Sequence, residues 1–450
     1  MKTMKHQWHK LLVPVGAGLG LIIATAASAE VTFNGFGQVV VGSTLNNDRP
    51  MDNRTHVNDY KADPTFQSES LFALQVQAPL AEKLSATAQI VADGAATGQD
   101  ASGNFTHNDF SPKFAWAYAT YQLSDNWSIK GGRQRTPLYH YSDYIQVGEA
   151  YPWIRPPLSV YASPSNNFDG LSLNGNFSAG DWYIQSEAFY GSYDGTVVNS
   201  GQATGLKVRH STGVAIDATY DEWLEMRASY AYAHVTPNIA QVGQLQSALE
   251  GYAQILDQAL GTNPLINPGS PAYLAAANEL TVSDRSVSYI SAGLSINKNN
   301  FILDGEYVWQ KTPSWLPQSR AYYASLGYHF GRLTPVIVYG RASGRIGDTA
   351  TGQRISSDVA TGDAVLQLVE PSLPPPYNAL PLLGSGVGTF VNAVNTVDDY
   401  YEFGLRYDLT RNTALKLDYT YYASPLDPTT NPGQGAQHAQ LVSAGFVFTF

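Results

Sequence analysis

Hydrophobic and polar residues alternate with a period of two along most of the chain, in segments of about ten residues. Between 224 and 232, leucine, methionine, alanine and tyrosine occupy the even positions, whereas Glu225, Arg227 and Ser229 occupy odd ones. Three further segments, starting at 301, 401 and 413, repeat this pattern. Their polar face carries Asp304, Glu306, Glu402, Arg406, Lys416 and Asp418. A period of two predicts β-strands with one apolar and one polar face.

The same alternation predicts sixteen strands. They lie at 30–43, 67–78, 83–93, 110–123, 126–134, 169–177, 182–190, 211–220, 224–235, 286–296, 301–311, 320–330, 333–342, 398–409, 413–423 and 439–450. Seven links of about two to four residues alternate strictly with eight longer ones, which range from 312–319 to 343–397. Short turns at one end and long loops at the other are typical of bacterial outer-membrane barrels.

Two architectures fit alternating strands. A soluble β-sandwich packs its apolar face inward, whereas a membrane barrel turns that face to lipid and encloses a polar lumen. Aromatic residues concentrate near the strand ends and charged residues lie in mid-strand, which favours the barrel. We therefore predict an all-β fold, a transmembrane antiparallel up-and-down β-barrel of about sixteen strands, with short periplasmic turns and long extracellular loops.

The N-terminus has the pattern of an export signal. Lys2, Lys5 and Lys10 precede an apolar run from Leu11 to Thr25, and small residues follow at 27–29. This order predicts a signal peptide over residues 1–29, with the barrel over 30–450. The alternative is a membrane anchor, but the run is short and interrupted by glycine.

Composition excludes several kinds of chemistry. The chain has no cysteine, which excludes disulfides, thiol catalysis and cysteine-ligated metals or clusters. It has 26 Lys+Arg and 37 Asp+Glu; removing the three lysines of the signal leaves 26 − 3 = 23 bases and a net charge of 23 − 37 = −14. An acidic chain without a basic run argues against a nucleic-acid partner.

Catalytic and metal motifs were not found in the sequence. The seven histidines after residue 29 form no metal-binding pair at helical spacing, and no Gly-x-Ser-x-Gly motif occurs. Asp304 and Glu306 lie two apart, as carboxylates of a glycosidase or protease do, but on a lumen-facing strand they are expected to line a pore. Asn47, Asp48 and Asp52 lack the spacing of a calcium loop. We expect no enzyme activity, cofactor or metal.

Both ends of the predicted barrel resemble a known superfamily. The last strand alternates Val442, Ala444, Phe446 and Phe448 with small or polar residues and ends on Phe450. It resembles the final strand of Gram-negative outer-membrane proteins, and residues 31–37 resemble the first strand of the sixteen-stranded porins. This resemblance implies an outer-membrane location, contact with outer-membrane lipid and lipopolysaccharide, recognition of the Phe450 strand by the barrel-assembly machinery, and a homotrimer.

The third long link, 135–168, is rich in aromatic residues and proline, which favour a rigid, packed loop. In trimeric porins the corresponding loop folds into the barrel and narrows the pore, and the resemblance implies the same here. The family's usual acidic-plus-glycine loop motif is absent, and a loop covering the barrel mouth is the alternative. The candidate constriction residues are Arg133, Arg135, Tyr139, Tyr141, Asp143, Tyr144, Glu149, Tyr151, Trp153 and Arg155.

Strand parity predicts which charged residues face the lumen. The mid-strand set is Glu225, Arg227, Asp304, Glu306, Glu402, Arg406, Lys416 and Asp418. Counting Glu69, Asp93, Glu187, Asp217 and Lys130 with them gives more acids than bases, and we expect a weak preference for cations. Arg133, Arg135 and Arg155 oppose this preference if they form the constriction.

Two other long links carry patterns of their own. Apolar residues at near-helical spacing predict a short amphipathic helix over 239–260, and 384–396 is a glycine-bearing stretch. Each is either a lid over the pore or ordinary surface packing.

The leading hypothesis for the whole chain is a porin for passive diffusion of small hydrophilic solutes and ions. The alternatives are a selective channel for sugars or aromatic acids, with the loop aromatics as a stacking track, and an outer-membrane enzyme or adhesin.

Overall fold

A computed structural model describes residues 30–45, 60–99, 105–157, 159–161, 165–199, 202–374, 377, 380–384, 386–387, 396–424 and 437–450. The predicted signal peptide, 1–29, lies outside these residues. So do Asn47, Asp48 and Asp52, and most of the glycine-bearing stretch 384–396.

The described residues form eighteen strands. They are β1 Thr32–Thr44, β2 Leu71–Ala81, β3 Leu84–Asp93, β4 Ala96–Gln99, β5 Phe105–His107, β6 Lys113–Gln122, β7 Trp127–Arg135, β8 Asn167–Ala179, β9 Trp182–Asn199, β10 Gln202–Tyr220, β11 Leu224–Asn238, β12 Arg285–Lys298, β13 Phe301–Lys311, β14 Pro317–Tyr328, β15 Leu333–Ile346, β16 Thr396–Asp408, β17 Thr413–Ser424 and β18 Gln437–Thr449. Sixteen of them close into one barrel, and β4 pairs with β5 as a separate small sheet. The predicted sixteen-strand barrel is confirmed.

Side-chain alternation explains why these segments form a membrane barrel. In β17, Lys416 and Asp418 face inward and are buried, whereas Leu415 and Leu417 face outward and are 45% and 49% exposed. All sixteen barrel strands pair antiparallel with their neighbours, and β1 closes on β18. Closure provides every strand with two neighbours, so no backbone edge faces lipid.

The two ends of the barrel differ as the link lengths predict. The seven links at one end of the barrel are short, and in the turn between β12 and β13 both Asn299 and Asn300 have positive φ, as a type I′ hairpin turn requires. The link predicted between 190 and 211 is wrong. β9 and β10 continue pairing to Asn199 and Gln202, with a bulge beside His210, so that glycine- and aspartate-bearing segment is a long hairpin. β14 also begins earlier than predicted, at Pro317.

Three helices occupy two of the long links. They are α1 Ala240–Leu260, α2 Gly269–Leu280 and α3 Thr349–Val369, and α1 matches the predicted helix. The helices pack on one another and on Trp315, Leu316 and Ile346 at the long-link ends of β14 and β15. No helix in the described part of the chain is long and apolar enough to cross a membrane. The three helices form a second apolar core outside the barrel.

The seam between β1 and β18 depends on two glycines beneath two aromatic rings. The backbones of Gly35 and Phe450 exchange two hydrogen bonds of 2.9 Å. A Cβ added to Gly35 would lie 2.1 Å from the Phe450 ring, and one on Gly37 would lie 2.6 Å from Phe448. The Phe450 ring also stacks on Phe72, with centroids 5.8 Å apart. The missing Cβ atoms allow the terminal aromatic rings to cover the seam.

We predict that Gly35→Ala destabilises the barrel, because the added methyl group displaces the Phe450 ring. Overpacking of this kind costs about 1–3 kcal/mol. The free energy of unfolding in urea, measured in detergent micelles, checks this. Gly251→Ala in α1 is the control, since nothing lies within 4 Å of its added Cβ. Equal stability of Gly35→Ala and the unmodified protein would contradict the role assigned to the ring.

Candidate functional site: a segment folded into the barrel

The link between β7 and β8 runs inside the barrel. We call its described residues, 136–157 and 159–161, the infolded segment. At one end, the Ser229 hydroxyl of β11 donates a 2.6 Å hydrogen bond to the carbonyl oxygen of Leu138. In its middle, Val147 packs in a cluster with Phe36 of β1 and Ala73 of β2. The segment therefore touches the inner wall on several sides.

Two cations of the wall bind backbone carbonyls of the infolded segment. The Lys416 ammonium donates to the carbonyl oxygens of Gly148, Tyr151 and Trp153, the second at 2.7 Å. The Arg406 guanidinium donates to the carbonyls of Glu149 and Tyr151 and also pairs with the Glu149 carboxylate. Gly148 and Glu149 lie in a short 3₁₀ turn, Gly148–Ala150, and Tyr151 and Trp153 lie in the bends that follow it. The wall supplies hydrogen-bond donors to the carbonyls of these four residues.

Wall carboxylates bind the donors of the infolded segment. Asp418 accepts the backbone N–H of Ile154 at 2.7 Å. Glu306 accepts the backbone N–H of His140 at 3.0 Å and the hydroxyl of Tyr161 at 2.6 Å. Hydrogen bonds to an ionised partner are about twice as strong as neutral ones. The wall charges thus hold the segment by its backbone as well as by its side chains.

Two tyrosines of the infolded segment act as buried hydroxyl donors. The Tyr141 hydroxyl donates to Asp304 at 2.9 Å. Burial, reinforced by the Asp304 carboxylate, raises the pKa of Tyr141 well above its ordinary value, and burial with Glu306 does the same to the pKa of Tyr161. Both phenols therefore remain protonated and can donate.

A bidentate ion pair fixes the far part of the infolded segment. Arg155 donates to both oxygens of Glu69 at 2.5 Å and to the Ser443 hydroxyl of β18 at 2.7 Å. The hydroxyl of Tyr60 donates to the same Glu69 carboxylate at 2.6 Å. Glu69 and Tyr60 belong to the long link between β1 and β2, so this link and the infolded segment are locked together.

The aromatic residues of the infolded segment pack on one another. Tyr139, Tyr141, Tyr151 and Trp153 are only 0–3% exposed. The Tyr141 ring lies edge-on to Trp153 at 5.8 Å, and Trp153 lies edge-on to Tyr323 of β14 at 6.0 Å. Tyr144 is partly exposed and packs on Tyr141. The stacking track expected from these residues is wrong for the four buried rings, because the protein already occupies their faces.

The arginine cluster expected at a constriction is not formed. Arg133 lies opposite Ala117 and Asp169 in the sheet, on the outward face, and pairs with Asp169 at 2.7 Å. Arg135 donates to Gln146 at 3.0 Å and lies over the Trp116 ring. Arg155 is held by Glu69. Arg133 and Arg135 are close together in the sequence, but the three arginines bind different partners, Asp169, Gln146 and Glu69.

The eight predicted lumen-facing charges are on the inner wall, but they fall into two groups. Asp304, Glu306, Glu402 and Asp418 are 0–3% exposed, and Arg406 and Lys416 are 6% and 3% exposed. Their expected role as water-exposed pore lining is wrong for this group, because most of them bind the infolded segment and all of them are enclosed. Arg227 is buried as well, at 5%, and pairs with Asp217, so that Glu225, with 24% of its side chain exposed, is the hydrated member of the eight.

Hydrated charges remain on the inner face of β7–β11. The side chain of Asp217 is 20% exposed, and Asp143 on the infolded segment is 59% exposed. Arg227 lies between them, 3.0 Å from Asp217 and 3.7 Å from Asp143. Lys130 and Glu187 face the same space and are partly exposed. Among the residues that the structure describes on this face, Lys130, Asp143, Glu187, Asp217 and Glu225 retain contact with water, whereas Arg227 is buried between its carboxylate partners.

The sequence pattern did not distinguish several polar residues of this face from other inward residues. Asn174 lies opposite Glu187 in the β8–β9 ladder, and Gln185 lies opposite Asp217 in the β9–β10 ladder. Both are partly exposed. Strand parity alone marks them as inward, but parity does not separate a hydrated inward residue from one covered by the segment. The seryl anchors Ser229 and Ser443 were missed for the same reason.

We predict that Lys416→Met loosens the infolded segment, because it leaves the carbonyls of Gly148 and Trp153 without their donor and the Tyr151 carbonyl with Arg406 alone. A hydrogen bond to a charged group contributes about 1.5–3 kcal/mol, so amide hydrogen exchange over 148–154 should accelerate at least about tenfold. Lys130→Met is the matched control, since no hydrogen bond from Lys130 to the segment is present. Unchanged exchange over 148–154 in Lys416→Met would show that the ammonium is not an anchor.

Comparisons with known proteins found the fold and no sequence family. No protein-family model and no curated protein matches the chain. Among solved structures, the outer-membrane channel DcaP of Acinetobacter baumannii is similar, with 12% identity, a TM-score of 0.50, and 95% of this chain and 99% of that chain covered. OmpF of Salmonella typhi in complex with daunomycin has 13% identity and a TM-score of 0.48, with 93% of this chain and 97% of that chain covered. OmpT of Vibrio cholerae, in a trimer form, has 10% identity and a TM-score of 0.47, with 94% of this chain and 100% of that chain covered.

The fold and the outer surface of the barrel both indicate that it lies in a membrane. Sixteen antiparallel strands close without an edge, and outward residues such as Leu417 and Phe403 are large, apolar and exposed. An exposed apolar band around a closed barrel is the surface that meets a bilayer. The protein therefore has the fold and the exterior of an outer-membrane β-barrel.

Proposed function

We propose that the protein is a water-filled channel for the passive diffusion of small hydrophilic solutes and ions. The proposed passage runs between Asp143 of the infolded segment and the inner face of β7–β11. One contrast carries the proposal: the side chains of Asp217 and Glu225 are 20% and 24% exposed, whereas the residues Asp304 on β13 and Asp418 on β17 are 2% and 0% exposed. Water-exposed charges mark the side on which a hydrated solute is accommodated.

The proposed constriction is the contact region between the infolded segment and this wall. Asp143 and Arg227, 3.7 Å apart, face each other from the segment and from β11. Charges of both signs across a narrow pore with low-dielectric walls produce a transverse field, which orients polar solutes. A channel of this kind sorts solutes by size and charge.

The passage is proposed to favour cations weakly. Its carboxylates are Asp143, Glu187, Asp217 and Glu225, and its cations are Lys130 and Arg227. Four carboxylates against two cations leave an excess of negative charge, and a smaller excess remains if Arg135 is counted as a third cation. Arg133 and Arg155 do not offset it, because Asp169 and Glu69 neutralise them.

A selective channel for sugars or aromatic acids receives less support. Such a channel needs aromatic faces that a solute can reach, and Tyr139, Tyr141, Tyr151 and Trp153 are buried against one another. General diffusion of small solutes therefore remains the function that the geometry supports best.

A homotrimer is proposed from the barrel exterior. On the half of each strand nearest the long links, outward tyrosines occur on β9, β11 and β13–β17, in a belt typical of a lipid interface. The described outward residues of β18, β1–β3 and β6–β8 include no tyrosine or tryptophan at this level. The Arg133–Asp169 pair faces outward within that gap. Charges on a lipid-facing wall are destabilising, so this arc is suited to contact with another copy.

Two further partners are proposed from the sequence resemblance and the exterior. Outer-membrane lipid and lipopolysaccharide would surround the tyrosine-bearing arc. The barrel-assembly machinery would recognise the β18 strand through Phe450, whose side chain lies on the outer surface and is 56% exposed.

We predict a heat-labile, detergent-resistant trimer on seminative gels. Arg133→Glu should lower the temperature at which the trimer dissociates, because it places two carboxylates together at the proposed contact. Arg411→Glu, in the short turn between β16 and β17, is the control and should leave that temperature unchanged. Monomer migration of the unmodified protein both before and after boiling would contradict the trimer.

We predict ohmic conductance steps in planar bilayers and a cation-selective reversal potential under a KCl gradient at low salt. Asp143→Asn should shift that potential toward zero, because one of four carboxylates at the passage is lost, whereas Asp181→Asn in the β8–β9 turn should not. The preference should disappear near 1 M salt, where the Debye length falls to about 3 Å. No conductance would overturn the channel, and an anion-selective potential would overturn the proposed lining.

A further inference from the structure

A cleft of about 430 Å³ opens on the long-link side of the barrel, where α1 follows β11. The ends of three strands line one part of it, through Asp194 of β9, Lys207 of β10 and Asn238 of β11. The first turns of α1 line another part, and the short link between α2 and β12 completes the lining. We call this space the helix–hairpin cleft.

The helix–hairpin cleft lies outside the lumen. Glu187 of β9 faces inward, and Asp194, seven residues further along the same strand, has the opposite parity. Lys207 lies opposite Asp194 in the β9–β10 ladder and therefore shares its outward face. Asp194 also lies four residues beyond the outward Tyr190, which is roughly 10 Å along the barrel axis at about 3.3 Å per residue and a tilt of about 40°. The cleft is thus above the tyrosine belt and separate from the proposed passage.

A glycine of α1 leaves the cleft open. Gly243 lines the cleft in the first turns of the helix, and nothing lies within 4 Å of a Cβ added there. Gly205 of β10 lines the same space, opposite Asn238 in the sheet. Glycine destabilises a helix interior relative to alanine. At position 243 its missing side chain leaves room that any larger residue would fill.

The floor of the cleft is apolar and its helical wall is fixed. Val242 and Val282 line the cleft and are buried. The Gln246 side-chain amide of α1 donates to the carbonyl oxygen of Ala277 at 3.0 Å and to the hydroxyl of Thr281 at 2.7 Å. These two bonds hold α1 against the end of α2. An apolar floor with a few polar groups in a preformed cleft is typical of small-molecule sites, whose volumes are about 300–1,000 Å³.

The rim of the cleft carries one charge of each sign. Asp194 and Lys207 are exposed, and neither forms an ion pair or a side-chain hydrogen bond with any residue that the structure describes. Residues directly opposite in an antiparallel pair have Cβ atoms about 4.5–5.5 Å apart, so the two charges lie side by side. Asp194 would repel a purely anionic solute, and Lys207 would repel a purely cationic one. A solute with both charges complements both residues.

We propose that the helix–hairpin cleft binds a small zwitterion of the amino-acid class with an aliphatic side chain. The ammonium group of the zwitterion pairs with Asp194, its carboxylate pairs with Lys207, and its side chain packs on Val242 and Val282. A sugar is the less suited ligand, because it would displace water from both charges without neutralising either. The proposal does not depend on the conductance of the barrel.

Saturation-transfer NMR of the purified protein in detergent tests the cleft with L-leucine as the probe. Gly243→Leu fills the cleft. Gly251→Leu on the same helix is the matched control, because an added Cβ there also has nothing within 4 Å and residue 251 does not line the cleft. Heat-dependent migration on gels verifies that each variant folds. We expect Gly243→Leu to lose leucine binding and Gly251→Leu to retain it.

The two rim charges are tested separately. Lys207→Met and Asp194→Asn should each raise the dissociation constant of leucine at least about tenfold, because each removes a charged hydrogen-bonding partner. Lys83→Met and Asp125→Asn, in short turns at the other end of the barrel, are the controls and should leave it unchanged. N-acetyl-L-leucine, which lacks the ammonium, and L-leucinamide, which lacks the carboxylate, should each bind the unmodified protein at least about tenfold more weakly than leucine.

Three results would overturn the proposal. Equal leucine binding by Gly243→Leu and Gly251→Leu would show that the cleft is not the site. Binding of either leucine analogue as tight as that of leucine would exclude recognition of a zwitterion. Absence of leucine binding to the unmodified protein would overturn the ligand class.

Discussion

Irregular backbone inside a membrane barrel must find partners for its peptide groups, and the rest of this structure depends on how it finds them. The carbonyls of Gly148, Glu149, Tyr151 and Trp153 lie in a short 3₁₀ turn and the bends that follow it. Lys416 and Arg406 supply the donors, and Asp418 and Glu306 supply acceptors for the segment's N–H groups. Such backbone is tolerated at membrane depth only where protein or water satisfies it. The polar inner wall is therefore first a binding site for the chain's own segment.

This use of the wall divides the charges of the lumen. Those on β13, β16 and β17 are enclosed, whereas the carboxylates of β9–β11 and Lys130 of β7 remain partly exposed beside Asp143. The field that a solute meets is then set by a minority of the inward charges. The exterior is divided as well, with a tyrosine belt on one arc and the Arg133–Asp169 pair on another. Both divisions come from the same alternation of side chains along the strands.

Strand number, parity and link order were predictable because each is local to the sequence. Period-two alternation identifies Glu225, Asp304 and Lys416 as inward without any knowledge of what covers them. The predicted loop at 191–210 was wrong because pairing across the β9–β10 hairpin outweighs its glycines. The outward position of Arg133 follows from the same parity that places Lys130 inward, and it was overlooked when the arginines were grouped by their nearness in the sequence. The burial of Tyr141 could not be predicted, because it depends on contacts such as that with Asp304, 163 positions away.

Cysteine accessibility tests the central claim most directly, because the natural chain contains no cysteine. Asn174→Cys and Gln185→Cys place a thiol on the hydrated face, and Ser325→Cys and Thr420→Cys place one on the enclosed wall, where the native side chains are 3% and 1% exposed. A charged, water-soluble thiol reagent is added during planar-bilayer recording. The account predicts a stepwise loss of current at positions 174 and 185 and none at 325 and 420. Loss of current at 325 and 420, with 174 and 185 unreactive, would contradict it.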